Sequence, residues 1–217
     1  MSARTKCHAR LPQYVRRSVR LHHEAIVIPL AYHYVFPALW LSWVVFWWVA
    51  ARDVKSTAQR ESLPSRLSHI VPLAIAVLLY SRQRVRTSLL AEHFLPSTEW
   101  SFWIGVLLTA GGLLFTVWAR LHLGRNWSGS VTIKEEHELV TSGPYALVRH
   151  PIYTGLLLAL LGSTLALGDL RAVLAFALAA GALWHKLRIE ERWMRQQFGD
   201  AYQAYSRRVA ALIPFVL

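Results

Sequence analysis

An all-α, polytopic integral membrane bundle of about five transmembrane helices is the fold class that this sequence predicts. Hydrophobic residues make up 54% of the 217 residues, and ten residues are tryptophan. The mean hydropathy is +0.31, and the apolar residues form blocks without the alternation of an exposed strand. A helix needs about 20 mostly apolar residues to cross a bilayer, so long blocks of this kind indicate membrane spans. At this length the chain is one domain or one small helical bundle.

The net charge of +12 would suggest nucleic-acid binding in a soluble protein. Here Lys and Arg flank the apolar blocks, where they keep loops in the cytoplasm and contact anionic lipid head groups. No nucleic-acid-binding motif accompanies them, so no nucleic-acid partner is expected. The single cysteine, Cys7, excludes an internal disulfide and a cysteine zinc site. The ten histidines lack the spacing of metal ligands, and no metal is expected.

The N-terminal part divides into a basic arm over residues 1–24 and transmembrane helices over 25–119. The first apolar segment, 25–51, carries tryptophans typical of an aromatic belt at the membrane interface: Trp40, Trp43, Trp47 and Trp48. The second, 67–80, is short for a span, and either an extension to Leu63 or a re-entrant course would explain it. The third, 100–119, is predicted to present a small face for close helix packing, formed by Gly105, Gly111 and Gly112.

Two further apolar segments, 152–167 and 170–184, are joined by Gly168-Asp169, which predicts a tight helical hairpin. From Lys186 the chain is charged with a helical pattern, and Gly199 is a plausible helix stop. The loop 120–150 and the C-terminus then lie on one side, which the distribution of Lys and Arg indicates to be cytoplasmic. That distribution slightly favours a second segment that does not span the membrane.

The polar stretch 136–155 precedes an apolar helix and is the most informative part of the chain. Pro151 suits the first turn of a helix and His150 its cap, and the free N–H groups there, with Arg149, form an anion site. Tyr145 and Tyr153 supply aromatic faces that suit a cation such as a sulfonium. The alternative is that these residues only anchor a helix end at the head groups.

An acidic pair follows the last span. Lys186 and Glu190 are four residues apart and share a helix face, so Glu190 is expected to point back under the bundle. Glu191 faces Arg188 and Arg195, and we expect it to lie on a solvated, salt-bridged surface.

Together these residues resemble the isoprenylcysteine carboxyl methyltransferase family, within the wider phospholipid methyltransferase group. The motifs occur in order: His-x-Leu-Val from His137, Gly-Pro-Tyr from Gly143, and Arg-His-Pro-x-Tyr-x-Gly from Arg149. The helical hairpin, Glu-Glu and Phe-Gly-Asp-Ala-Tyr from Phe198 complete the set. Gly124-Arg125-Asn126-Trp127-Ser128 resembles the prokaryotic members. The resemblance covers residues 120–215, so 120–217 is expected to be the methyltransferase region, and any one motif alone would be weak.

The resemblance implies a membrane methyltransferase that uses S-adenosylmethionine and has no Rossmann fold. The loop, the hairpin and the C-terminal helix would enclose the cofactor. The implied cofactor contacts are His137, Glu138, Leu139, Val140, Tyr145, His150, Pro151, Ile152, Tyr153 and Glu190. Lys186 stands where the family has an acceptor-side Arg, and a family glutamine before His137 has no counterpart in Val131-Thr132-Ile133-Lys134-Glu135-Glu136.

The expected reaction is methylation of a carboxylate on a lipid-like or prenylated acceptor at the cytoplasmic membrane face. A carboxylate is ionised at neutral pH, so no general base is required. Lys186 and Arg149 are the candidates that orient it. The alternatives are a phospholipid N-methyltransferase or a small-molecule S- or N-methyltransferase, a sterol-reductase-like enzyme with a similar Arg-His-Pro signature, and a membrane protein without catalytic activity.

Overall fold

The computed structural model describes residues 33–52, 57–60, 62–81, 98–124, 132–134 and 139–214, with residues 92, 94–95 and 127. Within these residues the chain forms five helices: α1 (His33–Ala50), α2 (Leu63–Ser81), α3 (Glu99–Leu123), α4 (Pro151–Leu167) and α5 (Leu170–Arg208). A 3₁₀ turn covers Gly143–Ala146, and two short strands are β1 (Thr57–Arg60) and β2 (Thr132–Lys134). The predicted helical membrane bundle is confirmed. The N-terminal arm lies outside the described residues.

Four of the helices, α1, α2, α3 and α5, are long and apolar enough to cross a membrane, and α4 is a shorter apolar helix of 17 residues. The second segment does extend to Leu63, which gives α2 a length of 19 residues. The preference for a second segment that does not span is therefore not supported by its length. The helix that contains the last apolar segment continues far beyond residue 184, to Arg208. Helix α5 therefore has an apolar membrane part followed by a polar part.

Helices α3 and α4 pack closely because glycines of each helix lie against the backbone of the other helix. A Cβ placed on Gly112 would lie 2.5 Å from the Gly155 carbonyl oxygen, and one on Gly105 would lie 2.6 Å from the Gly162 carbonyl oxygen. The predicted small face is confirmed for these two residues. It is wrong for Gly111, which has no atom near its Cβ position within the described residues, because one residue further along a helix turns the side chain by about 100°.

The predicted hairpin between α4 and α5 is confirmed. Gly168 ends α4 with φ 65° and ψ 13°, the left-handed conformation that glycine adopts without a steric cost. Asp169 then caps α5 by accepting a hydrogen bond from the Ala172 amide at 2.7 Å. The turn is therefore fixed locally at both helix ends.

Helix α1 packs through tryptophans that were expected at the membrane interface. The Trp43 indole donates to the Thr116 hydroxyl at 2.6 Å, and the Trp40 indole donates to the Ser163 hydroxyl at 3.2 Å. Trp40 and Trp43 therefore attach α1 to α4 and α3, and their place at the membrane interface stays a prediction. Trp48 is 63% exposed within the protein.

The strands bring together two connections that follow α1 and α3. β1 and β2 pair in antiparallel fashion, and Arg120 donates to the Ala50 carbonyl at the end of α1. The sequence predicted only a loop over 120–150, because strands this short have little periodicity. The ends of α1 and α3 thus lie on the same side of the bundle.

Helix α5 is broken where the sequence predicted a stop. Gly199 has φ 48° and ψ −122°, a non-helical conformation, after which the helix resumes and ends at Arg208. The break redirects the last turns of α5 toward the start of α4, and this arrangement forms the site.

Candidate active site

The start of α4 is covered by the chain segment that follows α5. The Arg149 amide donates to the Ala210 carbonyl at 2.8 Å, and the His150 amide donates to the Ala211 carbonyl at 3.0 Å. The Thr154 hydroxyl donates to the Leu212 carbonyl at 2.7 Å. Backbone groups at the mouth of α4 (residues 149–154) are therefore satisfied by the segment that follows α5, and this pairing joins the start of α4 to that segment.

Glu190 reaches the α4 mouth, as the sequence predicted. The Tyr153 hydroxyl donates to Glu190 Oε1 at 2.5 Å, and His150 Nδ1 lies 3.5 Å from Glu190 Oε2. The rings of His150 and Tyr153 stack with centroids 5.6 Å apart and planes within 2°. The Glu190 side chain remains 25% exposed, so part of this side chain is accessible beside two aromatic rings.

Lys186 lies one helical turn before Glu190 on the same face of α5. Its Nζ is 5.6 Å from the centroid of the Tyr153 ring. The ring of Tyr153 is therefore bordered by a carboxylate and by an ammonium group. This juxtaposition of opposite charges around one aromatic face can bind a zwitterionic ligand or two oppositely charged ligands.

Tyr145 forms a second aromatic wall within the 3₁₀ turn. Its side chain is buried, and its ring stacks on His122 with centroids 6.4 Å apart. The Tyr205 hydroxyl donates to the Tyr145 carbonyl at 2.6 Å, which ties the turn to the end of α5. Burial is the main cause of the raised pKa of the Tyr145 hydroxyl, and the negative charge of Glu190 adds to it. Tyr145 is therefore a neutral phenol.

Glu191 is buried, and the expectation that it lies on a solvated surface is wrong. The residue is 3% exposed. Its Oε1 accepts from Arg149 Nε at 2.8 Å and from the Tyr202 hydroxyl at 2.8 Å, and it lies 3.1 Å from His150 Nε2. The predicted neighbour Arg195 does donate to Oε2, at 2.7 Å. The redirected end of α5, which the helical pattern did not indicate, covers the carboxylate.

Arg149 makes its contacts inside the protein. Besides Glu191, its guanidinium donates to the carbonyls of Ser206 and Val209. It therefore joins the start of α4 to α5 and to the segment that follows α5. Glu191 opposes its charge at close range.

The charges of this cluster stabilise one another. Burial opposes protonation of His150, but hydrogen bonds to Glu190 and Glu191 outweigh it and raise the pKa of the imidazole. Burial likewise opposes ionisation of Glu191, but hydrogen bonds from His150, Arg149 and Tyr202 lower its pKa to about 2. The pKa of Glu190 is also lowered, with burial outweighed by His150 and Lys186. These shifts favour the charged form of all three groups, an imidazolium between two carboxylates.

The remaining predicted residues divide into three sets. Pro151 is buried in the first turn of α4, and Ile152 packs on the core cluster that contains Leu183 and Leu187. Leu139 and Val140 are half-buried just before the 3₁₀ turn. His137 and Glu138 lie outside the described residues.

Sequence reasoning did not select several residues of the site: His122, Glu191, Tyr202 and Tyr205. Tyr202 was noted only as the end of a motif. Its position after a glycine break was the one available signal that the chain could return toward the loop.

The fold and the site define a polytopic helical membrane protein with a charged aromatic site at one end of its bundle. A family model described as "Phospholipid methyltransferase" matches residues 100–201, which include α3 except for its first residue, the 3₁₀ turn, α4 and both glutamates.

Curated relatives extend this match. Protein-S-isoprenylcysteine O-methyltransferase B of Arabidopsis thaliana is 31% identical over 129 residues, covering 57% of this chain and 66% of the relative. A probable protein-S-isoprenylcysteine O-methyltransferase of Oryza sativa subsp. indica is 27% identical over 168 residues, covering 76% and 83%. The Schizosaccharomyces pombe protein-S-isoprenylcysteine O-methyltransferase is 36% identical over 104 residues, covering 45% and 43%.

The resemblance read from the motifs is thus confirmed, because the matching family model and these relatives are all methyltransferases by their descriptions.

Proposed function

We propose that the chain transfers a methyl group from S-adenosylmethionine to the carboxylate of a lipid-like, isoprenylcysteine-like acceptor at the cytoplasmic face of a membrane. The observation that carries this proposal is the contact of Glu190 with Tyr153 and His150 at the mouth of α4. It joins the carboxylate of a partly exposed side chain to aromatic faces beside an apolar bundle. The names of the relatives support the acceptor class.

The residues present fit such a cofactor. Glu190 suits the ammonium group or the ribose hydroxyls, and the aromatic faces of Tyr145 and Tyr153 suit a sulfonium. Leu139, Val140, Pro151 and Ile152 supply apolar and backbone surface near the 3₁₀ turn and the start of α4. His137 and Glu138 stay predicted contacts. When bound, S-adenosylmethionine supplies a methyl group whose transfer forms an O–CH₃ bond and breaks the S–CH₃ bond, leaving a methyl ester and a thioether.

The chain's own residues would act by position and charge. Lys186 places a positive charge next to the Tyr153 ring, where it can orient the acceptor carboxylate for in-line attack. That carboxylate is already ionised at neutral pH, so the site needs no general base. Arg149, the other candidate, is bonded to Glu191 and to carbonyls, and we assign it the placement of the α4 mouth. Rate enhancement would come from alignment of the two reactants and exclusion of water.

The first experiment measures binding of S-adenosylmethionine to purified protein in detergent by calorimetry. Glu190→Gln removes the charge but keeps the shape, and we expect affinity to fall about tenfold or more, because a charged hydrogen bond is worth about 1.5–3 kcal/mol. Glu99→Gln is the matched control, since Glu99 is exposed at the opposite end of α3. Parent-like affinity of Glu190→Gln would show that the pocket is assigned incorrectly.

A second measurement concerns the acceptor. With a prenylated cysteine analogue, Lys186→Gln is expected to raise the acceptor KM about tenfold while donor affinity stays within about twofold, because the role proposed for the ammonium group is to orient the acceptor. Arg188→Gln, on an exposed neighbouring position, is the control. Loss of donor affinity in Lys186→Gln would instead place Lys186 at the cofactor.

A phospholipid amine is the second candidate acceptor, and the description of the matching family model favours it. An amine must lose a proton before it attacks, so the rate with an amine acceptor should rise steeply with pH. A carboxylate acceptor predicts a nearly flat profile between about pH 6 and 8, because it is ionised throughout that range. Rates with a lipid acid and a lipid amine, measured across this range, distinguish the two.

A further inference from the structure

Two consecutive glutamates of α5 occupy different environments. The Glu190 side chain is 25% exposed and borders the aromatic faces, whereas the Glu191 side chain is 5% exposed. Four side chains of the described residues contact the Glu191 carboxylate: Arg149, His150, Arg195 and Tyr202. The Glu191 side chain is therefore almost fully enclosed by protein, whereas the side chain of its neighbour is partly accessible.

His150 connects the two carboxylates through its two ring nitrogens. Nδ1 lies 3.5 Å from Glu190 Oε2, and Nε2 lies 3.1 Å from Glu191 Oε1. An imidazolium is a donor at both nitrogens, so one ring can hold both acids at once. The ring is also stacked on Tyr153, which itself donates to Glu190. The orientation of Glu190 thus depends on the orientation of the His150 ring.

The other partners of Glu191 come from parts of the chain other than its own helical turn. Arg149 precedes α4, and Tyr202 follows the break at Gly199, so the carboxylate joins separate parts of the chain. Arg149, His150 and Tyr202 all bond to Oε1, whereas the 52% exposed Arg195 bonds to Oε2. Oε1 is therefore the atom that determines where the His150 ring lies.

We propose that Glu191 is a positioning residue for methyl-donor binding: Glu191 holds the His150 ring, and His150 holds Glu190 in the orientation that receives the cationic donor. This inference rests on the proposed function, in which Glu190 contacts the donor. It assigns different tasks to two acids that are adjacent in the sequence. Glu190 binds the donor, and Glu191 acts only through another side chain.

A double-mutant cycle on donor affinity tests the proposal. Glu191→Gln is expected to weaken S-adenosylmethionine binding about tenfold in the parent background but less than about twofold in His150→Gln, because the path through His150 is then already lost. Arg195→Gln, which removes only the Oε2 contact, should bind the donor like the parent. A purely structural role predicts the same loss in both backgrounds, and that result would overturn the proposal.

A milder variant keeps the proposal testable if Glu191→Gln does not fold. Tyr202→Phe removes one donor to Oε1, and we expect donor affinity about threefold weaker in the parent background and unchanged in His150→Gln. Equal effects in both backgrounds would overturn the proposal here as well. Glu190→Gln is measured alongside. If it binds the donor normally, the proposed pocket itself fails. If it binds weakly while Glu191→Gln and Tyr202→Phe bind normally, only the positioning role fails.

Discussion

At the scale of single residues, the site is organised by one imidazole between two carboxylates. Consecutive helical positions point about 100° apart, so Glu190 and Glu191 leave α5 in different directions. His150 contacts both because it lies at the cap of α4, opposite the gap between them. The cluster therefore depends on the docking of α4 against α5, and its charge state should be visible in the stability of the fold.

Replacement of His150 by Gln should change how stability depends on pH. Hydrogen bonds to both glutamates raise the pKa of folded His150 above that of the unfolded chain. Its contribution is therefore complete below about pH 6.5 and is lost as pH rises through the raised folded-state pKa. We expect the parent's thermal midpoint in detergent to fall more steeply above about pH 6.5 than that of His150→Gln.

The control for this comparison is His185→Gln, at an exposed position of α5, which should keep the parent's profile. Measurements above about pH 5.5 exclude the titration of Glu191, whose pKa of about 2 affects stability only in acid. Parallel profiles for the parent and His150→Gln would contradict an imidazolium at this position.

At the scale of elements, the crossing of α3 and α4 determines where the α4 mouth lies. Gly112 and Gly155 face each other with backbone in contact, and Gly105 and Gly162 do the same one level away. Small residues let membrane helices approach closely and gain dispersion contacts without a hydrophobic driving force. Any side chain at this contact would separate the helices, and the site at the start of α4 would be displaced with them.

Two neighbouring glycines provide a matched test of this packing. A Cβ at Gly112 would lie 2.5 Å from the Gly155 carbonyl oxygen, whereas Gly111 has no described atom near its Cβ position. Gly112→Ala should lower the free energy of unfolding by about 1–3 kcal/mol through overpacking. Gly111→Ala should leave it unchanged or raise it by up to about 1 kcal/mol, because alanine is the better helix former. Denaturation in detergent measures both, and equal effects would refute the crossing.

The elements also show what the sequence could and could not predict. Local signals predicted the helices and the hairpin. These signals are the apolar blocks, the Gly168-Asp169 turn and the proline at the start of α4. The contact between Glu190 and the α4 mouth followed from a shared helix face. The burial of Glu191 did not, because it depends on Tyr202 returning after the break at Gly199 and on carbonyls of the segment after α5. Such long-range contacts leave no periodicity in the sequence.

At the scale of the whole molecule, the site lies at one end of the bundle and Glu99 lies at the other. Helix α3 has 25 residues, so at about 1.5 Å per residue it is longer than the roughly 30 Å core of a bilayer. Its last turns lie beside the end of α1 and the 3₁₀ turn, whereas Glu99 lies at the opposite end. The site should therefore be on one side of the membrane, which we propose to be cytoplasmic.

Cysteine labelling tests this topology. In a Cys7→Ser background, we would place single cysteines at three exposed positions, Glu99, Thr141 and Gln196, and treat bacterial spheroplasts with a membrane-impermeant maleimide. Glu99→Cys should be labelled in intact spheroplasts, and Thr141→Cys and Gln196→Cys only after permeabilisation, because an odd number of crossings separates residue 99 from the site. Labelling of Thr141→Cys and Gln196→Cys in intact spheroplasts would reverse the orientation. Different behaviour of these two variants would mean that α4 and α5 do not form a complete membrane hairpin.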